Sequence, residues 1–206
     1  MIDAQILPLQ RAALYRPARA LAGAGVSADA LSITGFAVGM LAVPALTAGW
    51  FLTALLLILI NRLLDGLDGA VARINGPTDR GAFLDIALDF VFYALIPLGF
   101  ALHDPLVNAL PSAVLIAAFV GTGSSFLAFA SIAARRGDIS TAFPNKGIYY
   151  LGGLTEGFET ITIFVAFCLF PASFPVLAYL FAAACALSTV LRWLQGWRAF
   201  TSDRNP

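Results

Sequence analysis

The chain has 206 residues, of which 60% are hydrophobic and 12% charged, whereas an average soluble domain has about 45–50% apolar and about 25% charged residues. A soluble domain of this size cannot bury so much apolar surface, which points to a polytopic membrane protein. The formal net charge is zero, so the composition gives no reason to expect nucleic acid or acidic partners.

The N-terminal segment, residues 6–22, is predicted to form an amphipathic helix that lies on the membrane surface. Arg11, Arg16 and Arg19 alternate there with apolar residues at helical spacing, which is the pattern of interfacial helices. A disordered basic tail is the alternative interpretation of the same segment.

Six segments farther along the chain are long and apolar enough to form transmembrane helices, each of which needs about 20 mostly apolar residues. Threaded from a cytoplasmic N-terminus, they leave the three outer loops without any Lys or Arg, as the positive-inside rule favours. The sequence therefore predicts one all-α, polytopic membrane domain over residues 1–206, with both termini in the cytoplasm. We expect the membrane to be a bacterial inner membrane. The predicted spans are about residues 28–48, 51–73, 81–102, 110–134, 147–170 and 174–195.

Four aspartates stand in the second and third predicted spans, near their cytoplasmic ends. Asp65 and Asp68 are three residues apart, and Asp85 and Asp89 are four apart, so each pair shares one face of its helix. The short connection between the spans predicts a helical hairpin. At a rise of 1.5 Å per residue, both pairs lie roughly 6–14 Å from the helix ends, and they can face each other.

Four carboxylates inside a membrane need a neutralising partner, because each charge within a span costs about 2.5–3.5 kcal/mol and like charges repel. Carboxylate oxygens suit Mg²⁺, Mn²⁺ or Ca²⁺. Two such ions form a known arrangement for phosphoryl transfer. A salt-bridge network with Arg62, Arg73 and Arg80 is the structural alternative.

Small and basic residues beside the aspartates are typical of a site that binds a phosphate. Gly69 and Ala72 have small side chains that would let a ligand approach the helix backbone. Arg73 lies about one turn beyond Asp68 and could contact a phosphate. Gly81 opens the third predicted span, where free N–H groups and the helix dipole favour an anion.

The whole pattern resembles the signature of the CDP-alcohol phosphotransferase family. Written as spacing, it is Asp65-x2-Asp68-Gly69-x2-Ala72-Arg73-x7-Gly81-x3-Asp85-x3-Asp89. Two features depart from the family pattern. The gap of seven residues before Gly81 is commonly eight, and Phe90 stands after the last aspartate, where the phosphatidylglycerophosphate-synthase-like branch frequently has a basic residue.

The resemblance implies that an alcohol hydroxyl attacks a CDP-linked lipid donor, giving a phosphodiester and CMP. It also implies a homodimer, a pair of Mg²⁺ or Mn²⁺ ions, and Asp89 as the base that takes the hydroxyl proton. CDP-diacylglycerol with a small polar alcohol is favoured over a CDP-choline-type donor with diacylglycerol. The implied metal ligands are Asp65, Asp68, Asp85 and Asp89, and the implied CDP-binding residues are Asp65, Asp68, Gly69, Ala72, Arg73 and Gly81.

Four polar residues outside the motif are candidates for binding the acceptor alcohol. Lys146 and Arg192 lie at the edge of or within predicted spans, where a charge tends to face a cavity, although positive-inside anchoring is the alternative. Glu156 and Glu159 are three residues apart on the fifth predicted span and are expected to point into the bundle. They could instead form a structural link with Arg192.

Small residues in the fourth predicted span indicate close packing between helices. Gly121 and Gly123 are the clearest examples, because glycine lets two helix backbones approach closely in a membrane. The partner helix could belong to the same chain or to a second copy in a homodimer.

Two other functional classes use intramembrane aspartates. A cation transporter could employ the cluster as its ion site, but it needs access from both faces, and these aspartates lie near one end. Membrane prenyltransferases bind Mg-diphosphate through two aspartate motifs far apart on a longer bundle, whereas both pairs here lie within 25 residues. Both classes remain alternatives to the transferase.

Overall fold

The structure is a computed structural model, and it describes residues 3–137 and 155–201. Within these ranges the chain is almost entirely helical, with eight α-helices and a short 3-10 turn between the last two. The α-helices are α1 Asp3–Gly23, α2 Ala28–Met40, α3 Ala42–Thr47, α4 Phe51–Asn75, α5 Asp79–His103, α6 Pro105–Arg136, α7 Gly157–Leu169 and α8 Phe174–Ala199.

Four helical segments in the described part of the chain are long and apolar enough to cross a membrane. They are Ala28–Thr47, which contains α2 and α3, then Asp79–His103, Pro105–Arg136 and Pro171–Ala199. Helix α4 has 25 residues but carries four charged residues, and α7 has only 13 residues. The all-helical class is therefore confirmed, whereas the count of six spans stays a prediction.

The first predicted span, residues 28–48, is interrupted. Helix α2 ends at Met40 and α3 begins at Ala42. The cause is Pro44, which has no N–H to donate to the carbonyl of Met40 and whose ring crowds that carbonyl. The N–H of Leu41 bonds instead to the carbonyl of Val38, at 3.1 Å. The segment Ala28–Thr47 as a whole is still long and apolar enough to cross a membrane, so the break does not contradict the predicted span.

Helix α1 packs against α4. Ala18 of α1 is fully buried in a small cluster with Leu67 and Val71 of α4 and Leu31 of α2. The arginines of α1 that were predicted to alternate with apolar residues are all exposed. The amphipathic pattern is thus explained in part by packing on α4, and the position of α1 on the membrane surface stays a prediction.

An aromatic cluster fills the bundle beyond the first turns of α5. Phe92 and Phe100 of α5 are fully buried together with Phe164, Phe167 and Phe174 of the neighbouring helices. The rings of Phe100 and Phe174 stack with their centres 4.4 Å apart, and such pairs contribute about 0.5–1.5 kcal/mol each beyond their buried area. This cluster fixes the later turns of α5, and the aspartates of the motif lie on its earlier turns.

Close approach between helices depends on glycine at two places. A Cβ at Gly39 of α2 would lie 2.9 Å from side-chain atoms of both Asn61 and Phe92, and one at Gly123 of α6 would lie 2.6 Å from the Phe90 ring. Neither contact leaves room for a side chain. The prediction that Gly123 serves helix packing is confirmed, with a partner in the same chain, and the homodimer stays a prediction.

Candidate functional site

A pocket lies between α2, α4 and α5, and all four aspartates of the motif line it. Helix α2 packs against both α4 and α5. The pocket is therefore formed by three helices, the two of the predicted hairpin and α2. The residues that line the pocket are Ser32, Gly35 and Phe36 from α2, Asn61, Arg62, Asp65 and Asp68 from α4, and Asp85, Leu88, Asp89 and Phe92 from α5.

Three of the carboxylates converge. One oxygen each from Asp65, Asp68 and Asp85 lie within 4.8 Å of one another. Protein oxygens bind Mg²⁺ at about 2.0–2.1 Å and Ca²⁺ at about 2.3–2.6 Å, so two ligands on opposite sides of one ion are about 4–5 Å apart. The three residues therefore fit a divalent cation in chemistry and in spacing.

A serine on α2 holds one of these carboxylates. The hydroxyl of Ser32 donates a hydrogen bond of 2.5 Å to Oδ2 of Asp68, and Asp68 is buried. A hydrogen bond to a charged group is shorter and stronger than a neutral one. Sequence analysis missed Ser32, because its contact with Asp68 depends on the packing of α2 against α4.

Asp89 is held separately from the other three aspartates. Its Oδ1 accepts a hydrogen bond of 2.8 Å from Nη2 of Arg62, and its Oδ2 accepts one of 3.2 Å from the hydroxyl of Tyr93. Nη1 of Arg62 also lies 3.6 Å from Oδ2 of Asp65. The four predicted ligands thus divide into a group of three and a single carboxylate. Neither Arg62 nor Tyr93 was predicted as a site residue.

The salt-bridge alternative accounts for only part of the cluster. Arg62 pairs with Asp89 and approaches Asp65. Arg80 pairs with Asp29, an aspartate outside the motif, at 2.5 Å. The network therefore does not account for the convergence of the three carboxylates.

The glycine and arginine of the motif on α4 lie beyond the pocket, on the last turns of the helix. Gly69 and Ala72 are half-buried, and Arg73 is exposed. The Arg73 side chain crosses over Gly69, where a Cβ would lie 3.3 Å from its Nη1. The Arg73 cation therefore lies next to Gly69, which has no side chain. A phosphate bound there would need both the positive charge and the open space.

Gly81 does not offer the free N–H that was expected. Helix α5 begins at Asp79 with Thr78 as its N-cap, and the N–H of Gly81 donates to Oγ1 of Thr78 at 3.0 Å. A carboxylate is also near this helix end, because a Cβ at Gly81 would lie 3.3 Å from Oδ1 of Asp29. The N–H of Gly81 is therefore not free, since a cap and an acidic side chain are already there, and the role of Gly81 in binding CDP stays a prediction.

The candidate acceptor residues are only partly described. Lys146 lies outside the described residues. Arg192 is buried in α8, and its Nη1 donates to the carbonyl of Thr122 at 3.0 Å. Glu156 precedes α7 as its N-cap, and its N–H donates to Oε2 of Glu159 at 3.1 Å. The expectation that the two glutamates share a face inside a helix was wrong, because the helix begins at Gly157.

Comparisons with known proteins agree on one family. The family model for CDP-alcohol phosphatidyltransferase matches residues 26–195. The chain is 50% identical over 202 residues to Inner membrane protein YnjF of Escherichia coli strain K12, covering 98% of each protein. It is 33% identical over 99 residues to Archaetidylinositol phosphate synthase of Pyrococcus horikoshii, covering 48% of this chain and 53% of that protein.

Solved structures show the same fold. Phosphatidylinositol phosphate synthase (PgsA1) of Mycobacterium tuberculosis with CDP-DAG bound is 22% identical, with a TM-score of 0.69, covering 94% of this chain and 98% of that one. The same enzyme in complex with manganese and citrate has a TM-score of 0.73 at 22% identity, covering 94% and 93% of the two chains. At this identity the likeness concerns the fold.

Proposed function

The chain belongs to the CDP-alcohol phosphatidyltransferase family, and we propose that it transfers the substituted phosphate of CDP-diacylglycerol to a small polar alcohol, releasing CMP, in phospholipid biosynthesis. The observation that carries the proposal is the convergence of Asp65, Asp68 and Asp85 beside Asp89 in one pocket. The CDP-DAG bound to the M. tuberculosis enzyme of the same fold supports the choice of donor. The family match favours neither a cation transporter nor a prenyltransferase.

The metal-binding role belongs to the converging carboxylates. Asp65, Asp68 and Asp85 would hold one or two Mg²⁺ or Mn²⁺ ions, with Asp89 at the edge of the group. Bound there, such ions supply positive charge against the charge that develops on the diphosphate. The manganese in the related M. tuberculosis structure supports this assignment.

The chemical step assigns a separate task to Asp89. Its carboxylate takes the proton of the acceptor hydroxyl, whose oxygen then forms a bond to the phosphorus that carries the diacylglycerol. The bond from that phosphorus to the bridging oxygen breaks, and CMP leaves. A base must lie within hydrogen-bond reach of the attacking hydroxyl, and Asp89 lines the same pocket as the metal ligands. The proposed CDP-binding residues are Asp65, Asp68, Gly69, Ala72, Arg73 and Gly81.

The acceptor is proposed to approach from the side of α7 and α8. Arg192 is a buried cation between α6 and α8, and Glu156 is buried at the start of α7. A buried charge within a membrane domain commonly marks a substrate path. Lys146, Glu156, Glu159 and Arg192 are therefore kept as the proposed acceptor-binding residues.

The protein is an integral membrane protein, and we propose that its site and both termini face the cytoplasm. Four helical segments that are long and apolar enough to cross a membrane support the first statement, as does the relative named an inner membrane protein. The absence of Lys and Arg from the predicted outer loops supports the orientation. Six spans and a homodimer complete the proposal.

The test is CMP release by purified protein from CDP-diacylglycerol with Mg²⁺ or Mn²⁺. The acceptor panel comprises glycerol phosphate, inositol phosphate, inositol, serine, choline and plain sugars. We expect one acceptor to give CMP and a new phospholipid, and we expect a chelator or Asp68→Asn to stop the release. If no acceptor gives CMP, or if Asp68→Asn and chelator leave the rate unchanged, the proposal is wrong.

A further inference from the structure

Arg62 lies inside the pocket, and its donors point at four different side chains. Nη2 donates to Asp89 at 2.8 Å, and Nη1 lies 3.6 Å from Oδ2 of Asp65 and 3.5 Å from the hydroxyl of Tyr93. Nε donates to Oδ1 of Asn61 at 2.7 Å. Because only 15% of the side chain is exposed, these contacts are little weakened by solvent.

The plane of the Arg62 guanidinium is fixed as well as its charge. Its central carbon lies 4.9 Å from the ring centre of Phe92 and 5.7 Å from that of Tyr93. The amide of Asn61, which accepts from Nε, is itself held because its Nδ2 donates to the carbonyl of Gly35 at 2.9 Å. A chain of contacts therefore runs from α2 through α4 and fixes the arginine before it reaches α5.

Asp89 accepts hydrogen bonds from residues of two helices. Arg62 of α4 binds Oδ1, and the hydroxyl of Tyr93, four residues farther along α5, binds Oδ2. A carboxylate has about four lone-pair sites, so Asp89 retains acceptor capacity for a third group while its plane is set. Two donors from two helices therefore hold its position.

The pocket has more acidic than basic residues. Four acidic residues and one basic residue, Arg62, are among the described residues that line it. Arg62 is closer to Asp89 than to Asp65, at 2.8 Å against 3.6 Å. Its charge therefore compensates mainly the carboxylate that is absent from the converging group of three.

The Tyr93 side of this arrangement faces the start of α7. A Cβ placed on Gly157, the first residue of α7, would lie 3.7 Å from the hydroxyl of Tyr93. Glu156, one of the proposed acceptor contacts, directly precedes that glycine. The two hydrogen bonds to Asp89 thus lie between the three converging carboxylates and the start of α7, which is proposed to contact the acceptor.

From this geometry we propose that Arg62 is a positioning residue, which together with Tyr93 keeps Asp89 apart from Asp65, Asp68 and Asp85 and sets it for the acceptor hydroxyl. The inference rests on the proposed function, because it needs an acceptor whose proton Asp89 takes. Arg62 itself contacts neither substrate; it acts through the carboxylate that it holds.

The experiment separates turnover from ion binding in four variants: Arg62→Gln, Arg62→Lys, Tyr93→Phe and the control Arg19→Gln, an exposed arginine of α1. We measure kcat and both KM values for CMP release, and Mn²⁺ binding without substrates by electron paramagnetic resonance. For Arg62→Gln we expect kcat to fall about 10²-fold, as misplacement of a catalytic group can cause, with both KM values within about twofold on the same reasoning.

The direction of the change in Mn²⁺ affinity distinguishes a positioning role of Arg62 from a purely structural one. Removing a positive charge near three carboxylates favours a cation, so Arg62→Gln is expected to bind Mn²⁺ at least as tightly as the wild type. Tyr93→Phe removes one hydrogen bond to a charged group, which predicts a fall in kcat of roughly tenfold. Arg62→Lys should lie between wild type and Arg62→Gln, because lysine lacks the planar fork.

Two results would overturn the inference while leaving the proposed function intact. One is an active wild type whose Arg62→Gln and Tyr93→Phe variants keep the wild-type kcat. The other is loss of Mn²⁺ binding together with kcat in Arg62→Gln, which would show that Arg62 merely holds the pocket together. If Arg62→Gln does not fold, Arg62→Lys and Tyr93→Phe decide by the same criteria. A wild type that releases no CMP with any acceptor overturns both.

Discussion

The two halves of α5 show how this chain separates chemistry from stability. The first turns carry Asp85 and Asp89, which line a pocket, whereas the later turns carry Ile96 and Phe100, both fully buried and outside the pocket lining. Carboxylates in the first half converge with those of α4, and stacked rings in the second half fill the space. The comparison indicates that the pocket can be altered at small cost in stability, and the aromatic half at small cost in chemistry.

The largest effect is expected from breaking the aromatic half. Phe100→Ala should lower the free energy of unfolding by about 3–5 kcal/mol, because a fully buried ring is replaced by a cavity. Thermal unfolding in detergent measures this, and kcat per folded molecule should stay near the wild-type value. Phe170→Ala is the matched control, since 62% of Phe170 is exposed. Equal losses of stability in the two variants would contradict the division.

The second effect concerns the charged half of the same helix. Asp85→Asn should lower kcat about 10²–10³-fold, the range seen when one electrostatic contact to a transition state is removed. Its unfolding temperature should not fall, because one of several like charges is gone. Asp79→Asn is the control, as Asp79 is exposed on the first turn of α5 and outside the pocket. A large loss of stability in Asp85→Asn would show that the pocket also holds the fold together.

A third change sharpens the comparison by leaving the metal ligands in place. Ser32→Ala removes the 2.5 Å hydrogen bond to Asp68, and loss of such a support typically weakens metal affinity 10–100-fold. Mn²⁺ titration of CMP release would measure the shift, with saturating Mn²⁺ restoring most of the rate. The control is Ser124→Ala, whose exposed hydroxyl bonds to the carbonyl of Gly121. A Ser32→Ala variant with wild-type Mn²⁺ dependence would remove Ser32 from the site.

The smallest change in the free energy of unfolding is expected at the exposed ion pair between Arg80 and Asp29. Arg80→Gln breaks the ion pair with Asp29, but 79% of the Arg80 side chain is exposed. Such a pair contributes about 0–1 kcal/mol, so unfolding in detergent should shift by less than about 1 kcal/mol. High salt should reduce the shift further. A larger shift would mean that the link between α2 and the start of α5 supports the pocket wall.

The sequence predicted the members of the pocket better than their partners. Helical periodicity alone placed Asp65 with Asp68 and Asp85 with Asp89, and all four line one pocket. The donors that hold them, Ser32 on α2 and Arg62 across from Asp89, depend on which helices pack together. Spacing along one helix contains no information about a neighbouring helix, and α2 was not expected to form a wall.

Two local details that were not predicted have causes that are visible in the sequence. Pro44 interrupts the first span because it removes a donor. Thr78 caps α5 and takes the N–H of Gly81, as a threonine just before a helix commonly does. By contrast, nothing in the spacing of Glu156 and Glu159 indicated that the helix begins between them at Gly157.

The contact between Phe90 and Gly123 has a consequence for relatives of this chain. The phosphatidylglycerophosphate-synthase-like branch is expected to have a basic residue frequently after the last aspartate. Here Phe90 occupies that position and contacts Gly123, while the cation beside Asp89 is Arg62. We therefore expect positions 62, 90 and 123 to change together among relatives. In an alignment of relatives, sequences with a basic residue at position 90 should lack arginine at position 62. The same sequences should also have residues other than glycine at position 123.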